Sequence, residues 1–500
     1  MDIEVEKINE TFLMLKCNRG IAQELSEYFS FFVPGYKFMP SYRAKLFDGK
    51  IRLAKILPNG DVEFFVGLIH HLKIFCKERE YKLQYNFKEN YNPVTEEELN
   101  RFITKLNIHS NGKKIEVRDY QFNSVLEFLN KKRMVLLSPT SSGKSCILYI
   151  IVRYLLEHGR KKGLLLVPNT SLCSQLSSDF QDYSSNNGWD VNEHIHTIYA
   201  GQDKVSDKSL YISTWQSLFN HKAEGYFDQF DFVLCDEAHL ASASSLTGIL
   251  YKCSNADYRV GVTGTLNGQK VHSLQLESLF GPVKKVITTK ELMDRNQVTK
   301  LKIKCVVLKY PEEYSKISKN FKYQQELEYL ILNPARNKFI KNLALNLKGN
   351  TLLLYQYVEK HGDILYEMIS KSKYAEGKKI YYIHGNIKAE ERESIRKSME
   401  TEDNVILIGS VGTVSTGTNI KNLHNIIFAS PSKSRIRNLQ AIGRVLRLNE
   451  NKTEAVLYDI ADDMRYKKHS NYTLNHFNER IKIYSEEKFD FKIHNIEIKI

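Results

Sequence analysis

Short apolar runs separated by longer stretches of helical period recur along most of the chain: "RMVLLS", "GLLLVP", "LYISTW", "DFVLCD", "RVGVTGT", "NTLLLYQ", "KIYYIHG", "NVILIGS", "NIIFAS" and "EAVLYDI". Continuous runs of this kind predict strands covered on both faces, hence parallel sheets with helical crossovers. The series breaks near residues 270–350, where "TTKELMDRNQVTKLKIKCVVLKYPEEY" predicts a connection and the leading strand of a new sheet. Two consecutive parallel α/β domains are therefore expected.

The first 90 residues have a different texture. "IEVEKI" and "TFLML" predict strands and "GIAQELSEYFSFF" a helix. "AKLFDGKIRLAKILPNGDVEFFVG" predicts further strands with Asp48-Gly49 and Asn59-Gly60 as hairpin turns, and a second helix follows around "HHLKIFCKER". This is a small α+β module. The expected divisions are this module over 1–90, a connection over 91–111 in which "TEEE" suits a capped helix start, α/β domains over 112–292 and 293–462, and a short, mostly helical segment over 463–500.

Composition changes the picture in two places. The formal net charge of +14 favours a polyanionic partner, nucleic acid before an acidic membrane. The seven cysteines are odd in number and form no C-x-x-C pair, and several lie in apolar runs, so they are expected to be buried free thiols in a reducing compartment. No apolar run reaches the roughly 20 residues of a membrane helix, and the acidic, polar start "MDIEVEKINE" does not resemble a secretory signal. A cytoplasmic protein is expected. The histidine pairs His70/His71 and His194/His196 lack cysteine or carboxylate partners at metal-binding spacing, which argues against a metal at either.

Candidate chemistry begins at "SPTSSGKS" (Ser138, Pro139, Thr140, Ser141, Ser142, Gly143, Lys144, Ser145), set between a predicted strand and a predicted helix. It ends as a phosphate-binding loop ends, with Ser138 in place of the leading glycine. Backbone N–H groups of such a loop face phosphates at a helix N-terminus. Lys144 would neutralise the β and γ phosphates, and Ser145 would ligand Mg²⁺. Downstream, "FVLCDEAH" places Asp236 and Glu237 at the carboxyl end of an apolar strand. There Asp236 would hold Mg²⁺ and Glu237 would orient or deprotonate an attacking water. The two motifs together predict an ATP-hydrolysing site.

The DEAH sequence behind a phosphate loop resembles the superfamily-two helicases, and further motifs of that superfamily follow in order over roughly residues 112–462. "RDYQ" (Arg118, Tyr120, Gln121) resembles the adenine-reading segment. "LVPNTSLCSQ" (Pro168, Asn169, Thr170) and "ISTWQSL" (Ser213, Thr214) resemble motifs that meet the nucleic-acid backbone. "TGT" (Thr263, Gly264, Thr265) resembles the motif coupling hydrolysis to movement. "YIHGNIKAEER" (His384, Gly385, Arg392), "VGTVSTGTNI" with Gly417, and "QAIGRVLR" (Gln440, Gly443, Arg444, Arg447) resemble second-domain motifs.

The resemblance implies two tandem RecA-like domains and nucleotide contacts from Gly417 and Gln440. Arg444 and Arg447, three apart and expected on one helix face, would stabilise charge developing on the γ-phosphate. Ser141 and Asn419 stand where many members carry glycine and aspartate, and the sequence supplies no physical reason for Ser141.

The N-terminal module and short tail resemble the layout of recombination and repair helicases. That implies ATP-dependent remodelling of branched duplex DNA, single strands and RNA–DNA hybrids (branch migration, fork regression, R-loop unwinding), with a duplex-binding N-terminal domain. A monomer is expected in isolation. Lys37, Arg43, Lys45, Lys50 and Arg52 cluster around the predicted hairpins with Tyr36 and Tyr42, and are expected to contact phosphates. The alternatives are a duplex-binding scaffold with a vestigial motor and the motor subunit of a restriction nuclease.

Overall fold

The computed structural model describes residues 2–87, 92–199, 201–241, 244–414, 420–430, 433–448 and 452–499. They fall into two compact units, residues 1–138 with 143–286 and residues 139–142 with 287–500.

In the first unit, the N-terminal module is a five-stranded sheet in the order Ala54–Ile56, Val62–Phe65, Phe12–Cys17, Ile3–Lys7, Leu83–Tyr85. Every pairing is antiparallel except that of Ile3–Lys7 with Leu83–Tyr85. Period-two alternation turns Ile3, Val5, Leu13 and Leu15 to one face. There they form a core with Ile21 and Leu25 of the Arg19–Tyr28 helix and Leu72 and Phe75 of the Ile69–Glu78 helix. Asn59-Gly60 is the expected hairpin turn, with Ile56 opposite Val62. Asp48-Gly49 is not. It ends a longer excursion, residues 33–49, between the paired strands Ser30–Phe32 and Lys50–Arg52. The local turn signal is genuine, since Gly49 has φ +81°, but a turn residue does not say which strands it joins.

The first α/β sheet has seven strands in the order Ile195–Ile198, Leu210–Thr214, Gly163–Val167, Phe232–Asp236, Tyr258–Thr263, Arg133–Leu137, Val283–Lys285. All its pairings are parallel. Its two edge strands, "IHTI" and "VKK", are short and carry polar residues, so they lack the continuous apolar signature of the buried ones. Thr95 caps the Glu96–Leu106 helix by accepting the Glu98 N–H at 3.2 Å, and Leu99, Phe102 and Leu106 enter this domain's core.

Sequence patterning did not reveal how closely the N-terminal module packs on this sheet. Leu274 of the Lys270–Phe280 helix belongs to the module's own core. A Cβ on Gly67 would lie 2.1 Å from the Glu277 carbonyl oxygen, so only glycine allows the two backbones to approach this far. Arg259 is fully buried. Its guanidinium donates to Thr11 Oγ1 at 2.8 Å and to the carbonyls of Leu250, Cys253 and Ala256. Arg133 Nη2 reaches the Glu10 carboxylate at 2.7 Å.

The second unit carries a second seven-stranded sheet, ordered Ile380–Ile383, Ile406–Ser410, Thr351–Tyr355, Asn425–Phe428, Glu454–Asp463, Lys300–Lys309, Asp490–Glu497. It too is parallel throughout. The C-terminal segment holds the expected helix, Tyr472–Glu486, and also contributes the last of these strands. Buried charges fasten the helix. Arg480 is held by the Asp459 carboxylate at 2.8 Å, and Glu326 accepts the Tyr472 and Thr473 N–H groups at 2.9 and 2.7 Å. The architecture is that of tandem RecA-like domains preceded by a small α+β region.

Candidate nucleotide and strand-contact site

Three strands of the first sheet bring the chemistry to one edge. Leu137 lies opposite Thr263, and Asp236 opposite Val262, so the carboxyl ends of Arg133–Leu137, Tyr258–Thr263 and Phe232–Asp236 are neighbours. The Ser138 N–H donates to the Thr263 carbonyl at 2.8 Å, carrying the pairing into the loop. The phosphate loop, the acidic pair and "TGT" therefore leave the sheet side by side, at the crevice where parallel α/β sheets bind ligands.

The loop folds on itself. The Ser142 hydroxyl donates to the Pro139 carbonyl at 2.6 Å, and Lys144 Nζ reaches the Ser138 carbonyl at 3.4 Å. Gly143 precedes the Lys144–Glu157 helix with φ +82°, and a Cβ there would lie 2.2 Å from Gln121 Nε2. No side chain caps this helix at Gly143, and its N-terminus is the end where the helix dipole favours an anion. Ser141 has φ +68°, the left-handed conformation that glycine adopts without strain, and its Oγ is buried with no hydrogen-bond partner among the described residues. These features suit a triphosphate. Ser145 Oγ lies 2.9 Å from Tyr183 Oη.

Asp236 is buried. Burial first, and then the Glu237 charge, push its carboxyl up to about 6, against the pull of Lys144. Glu237 has φ +53°, and its N–H donates to Asp236 Oδ1 at 2.9 Å. His239 Nδ1 lies 3.2 Å from Glu237 Oε2 and 2.9 Å from Thr263 Oγ1. His272 Nε2 meets the His239 carbonyl at 2.7 Å, a support that no motif announced.

The "RDYQ" segment is tied to the loop. The Arg118 N–H donates to Gln121 Oε1 at 2.9 Å, Arg118 Nη1 to Tyr120 Oη at 2.7 Å, and Gln121 Nε2 to the Gly143 carbonyl at 3.5 Å. Pro168 and Asn169 are half-buried and Thr170 exposed at the start of the Thr170–Tyr183 helix, which Asn169 caps by accepting the Leu172 N–H at 2.9 Å. Val167 pairs with Thr214, so the next expected contact emerges beside this one. Thr214 is itself buried, its hydroxyl capping Trp215–Phe219 through the Ser217 N–H at 3.3 Å.

In the second unit, His384 and Gly385 follow the Ile380–Ile383 strand and Arg392 lies on the Ala389–Thr401 helix. Gln440 and Arg444 lie on the Arg435–Val445 helix. Arg447 does not share that helix face, because the helix ends at Val445. The turn is held instead by Thr299, whose N–H donates to the Leu446 carbonyl at 2.7 Å and whose hydroxyl donates to the Arg447 carbonyl at 3.0 Å. Lys452 adds a second hold. Its buried ammonium donates to the carbonyls of Val445, Lys421 and Leu423 at 2.9, 3.0 and 3.1 Å, and burial lowers its pKa to about 8. Gly417 and Asn419 lie outside the described residues.

On the N-terminal module, the Tyr36 ring stacks on Phe32 at 4.6 Å and meets Tyr42 edge-on at 4.8 Å. Lys50 Nζ lies 5.0 Å from the Phe32 ring centre. Lys37, Arg43 and Lys45 are exposed, whereas Arg52 is paired with the Asp48 carboxylate. Phe38 and Leu46, 76% and 83% exposed, belong to the same excursion and carried no signal in the charge pattern.

A parallel sheet delivering a phosphate loop and an acidic strand end to one crevice, followed along the chain by a second parallel sheet, is the ground plan of the superfamily-two helicases. The comparisons agree. Residues 2–86 match the family described as DNA helicase UvsW, N-terminal. Residues 114–268 match Type III restriction enzyme, res subunit, and 335–449 the Helicase conserved C-terminal domain. The chain is 34% identical over 524 aligned residues to the ATP-dependent DNA helicase uvsW of Enterobacteria phage T4, with all of both chains covered. It is 25% identical to Putative helicase 22 of Sulfolobus islandicus filamentous virus, over 70% of this chain and 64% of that one. The crystal structure of T4 UvsW superposes with a TM-score of 0.51 at 31% identity, covering 99% of this chain and all of that one. The chain belongs to the UvsW family of helicases and is an ATP-driven helicase.

Proposed function

We propose that ATP hydrolysis at the crevice of the first sheet drives movement along DNA, and that branched duplexes are the substrate: four-way junctions, forks and R-loops containing RNA–DNA hybrid. The observation that carries the hydrolytic reading is that the Asp236-Glu237 strand end lies beside the Thr263 strand end, which in turn lies beside the strand whose loop leads into the Lys144 helix. In this reading Lys144 and the loop N–H groups bind the β and γ phosphates. Glu237 orients and deprotonates the attacking water, and Arg444 and Arg447 stabilise the charge that develops on the γ-phosphate. Ser145 and Asp236 would hold Mg²⁺, which supplies charge neutralisation at the phosphates. A cation beside Asp236 favours its ionised form, opposing the burial that pushes its pKa up.

The branched-DNA reading rests on similarity to the T4 helicase along the whole chain, N-terminal module included. It is supported by the exposed aromatic and basic excursion over residues 33–49, whose charges suit backbone rather than base contacts. The test is ATPase and unwinding measured side by side on four-way junction, fork, R-loop and plain duplex. We expect the branched substrates to be processed faster than plain duplex, and Lys144→Ala to abolish turnover while DNA binding persists. Equal rates on all substrates would overturn the branched-DNA reading. DNA-stimulated turnover by Lys144→Ala would overturn the hydrolytic one. Cleavage of DNA by the purified chain would instead favour a restriction motor.

A further inference from the structure

Where the N-terminal module meets the first motor sheet, the chain brings together three groups that the sequence keeps far apart. His70 and His71 begin the Ile69–Glu78 helix, and Glu277 lies near the end of the Lys270–Phe280 helix. His70 Nε2 and His71 Nε2 lie 2.8 and 2.9 Å from the same oxygen, Glu277 Oε2. The two imidazole centres are 4.0 Å apart. One ligand atom from each residue falls within 4.8 Å of the other two, the only such group of three or more among the described residues. The Ser273 hydroxyl donates to the other carboxylate oxygen at 3.3 Å, orienting the group.

Consecutive residues on a helix point about 100° apart, so two adjacent histidines turned to one oxygen are not a product of helix geometry alone. The backbones around them are set close, as the space at Gly67 shows. Glu277 is 12% exposed and the histidines 31% and 27%, which shields the group while leaving one side open to solvent.

We propose that His70 Nε2, His71 Nε2 and the Glu277 carboxylate form a binding site for one divalent transition metal of the zinc class, clamping the N-terminal module to the first motor sheet. Two imidazoles and a carboxylate with a fourth position left to water is a donor set that Zn²⁺ takes. The present separations are those of hydrogen-bonded groups, and ligands around a tetrahedral ion stand slightly further apart, so binding requires only small side-chain rotations. With the metal on Nε2, each neutral imidazole carries its proton on Nδ1, which at His70 is buried with no hydrogen-bond partner among the described residues. The site is separate from the nucleotide crevice and shares no residue with it.

The test uses the full chain, freed of metal with a chelator and without nucleotide, titrated with Co²⁺ as a spectroscopic stand-in for Zn²⁺. We expect one saturable equivalent, visible d–d bands of a low-coordinate site, displacement by Zn²⁺, and a zinc-dependent rise in the thermal midpoint. His71→Asn and Glu277→Gln should each weaken binding about tenfold or more and remove the thermal shift. Both variants should keep the far-UV circular dichroism of the parent. His194→Asn, the control at the other histidine pair, should leave binding unchanged. Absence of saturable binding, or binding that His71→Asn and Glu277→Gln leave intact, overturns the proposal. In that case the cluster is a hydrogen-bonded triad only. Should a variant misfold, the Co²⁺ spectrum and stoichiometry of the parent still decide.

Discussion

His239 Nδ1 stands between two motifs, 2.9 Å from Thr263 Oγ1 and 3.2 Å from Glu237 Oε2. The residue expected to orient the attacking water and the motif expected to couple hydrolysis to movement thus share one buried imidazole. A shift of either reaches the other through that ring.

Replacing His239 with alanine should therefore separate chemistry from movement. Glu237 keeps its N–H bond to Asp236 and its place on the strand end, so ATPase should fall by no more than about tenfold, the scale of one neutral hydrogen bond. Unwinding should fall much further. The ratio of base pairs opened to ATP hydrolysed measures this directly, and an unchanged ratio would deny the link.

Ser141 occupies a left-handed backbone conformation, φ +68°. A non-glycine residue held there costs about 1–2 kcal/mol, partly offset because glycine orders at a greater entropic cost. Ser141→Gly should leave ATPase intact and change stability by no more than about 1 kcal/mol, while Ser141→Val should destabilise the loop and raise the KM for ATP. Denaturant melts and nucleotide titrations of the pair check both outcomes. This conformation also accounts for the glycine that many superfamily members carry at this place.

Lys452 holds three carbonyls at the exit of the Arg444-bearing helix and beyond the Gly417 segment. Lys452→Met retains length and removes the donors. We expect kcat for ATP to drop roughly 10- to 100-fold, through misplacement of the arginines, with little change in KM. Lys452→Arg should recover part of the loss. A fall in KM and kcat together, or none in either, would show that the contact serves stability alone.

His361 is fully buried between Ser430 Oγ and Asn337 Oδ1, each 3.2 Å away, and burial pushes its pKa down from 6.5 to about 3. The unfolded chain binds this proton near pH 6.5 and the folded one only near pH 3, so between those values the unfolded state holds more protons. Stability of the second motor domain should therefore be fullest above pH 6.5 and decline as pH falls, by about 2 kcal/mol at pH 5 from this residue. Urea melts at the two pH values, compared with His361→Gln, isolate the contribution. The variant should show a shallower decline.

Much of the site was legible because its signals are local. The phosphate loop, the DEAH strand end and the ten apolar strands are fixed by side-chain period and by residue types within a few positions. Edge strands such as Ile195–Ile198 and Asp490–Glu497 were not legible, since an edge needs no continuous apolar run. The helix carrying Arg444 was foreseen. Its end at Val445 was not, because the contacts that shape the exit come from Thr299 and Lys452.

What the sequence determined by itself is the chemistry and the order of the parts: a nucleotide loop, an acidic partner, and two parallel sheets in series. Tertiary structure alone decided which distant groups meet. Gly67 against the Glu277 backbone, Thr11 on buried Arg259, and His70 and His71 on the Glu277 carboxylate each join residues about 200 or more positions apart. A strand or helix is specified by near neighbours along the chain. Such pairings exist only once two folded surfaces close on each other and the polar groups they bury meet across the seam.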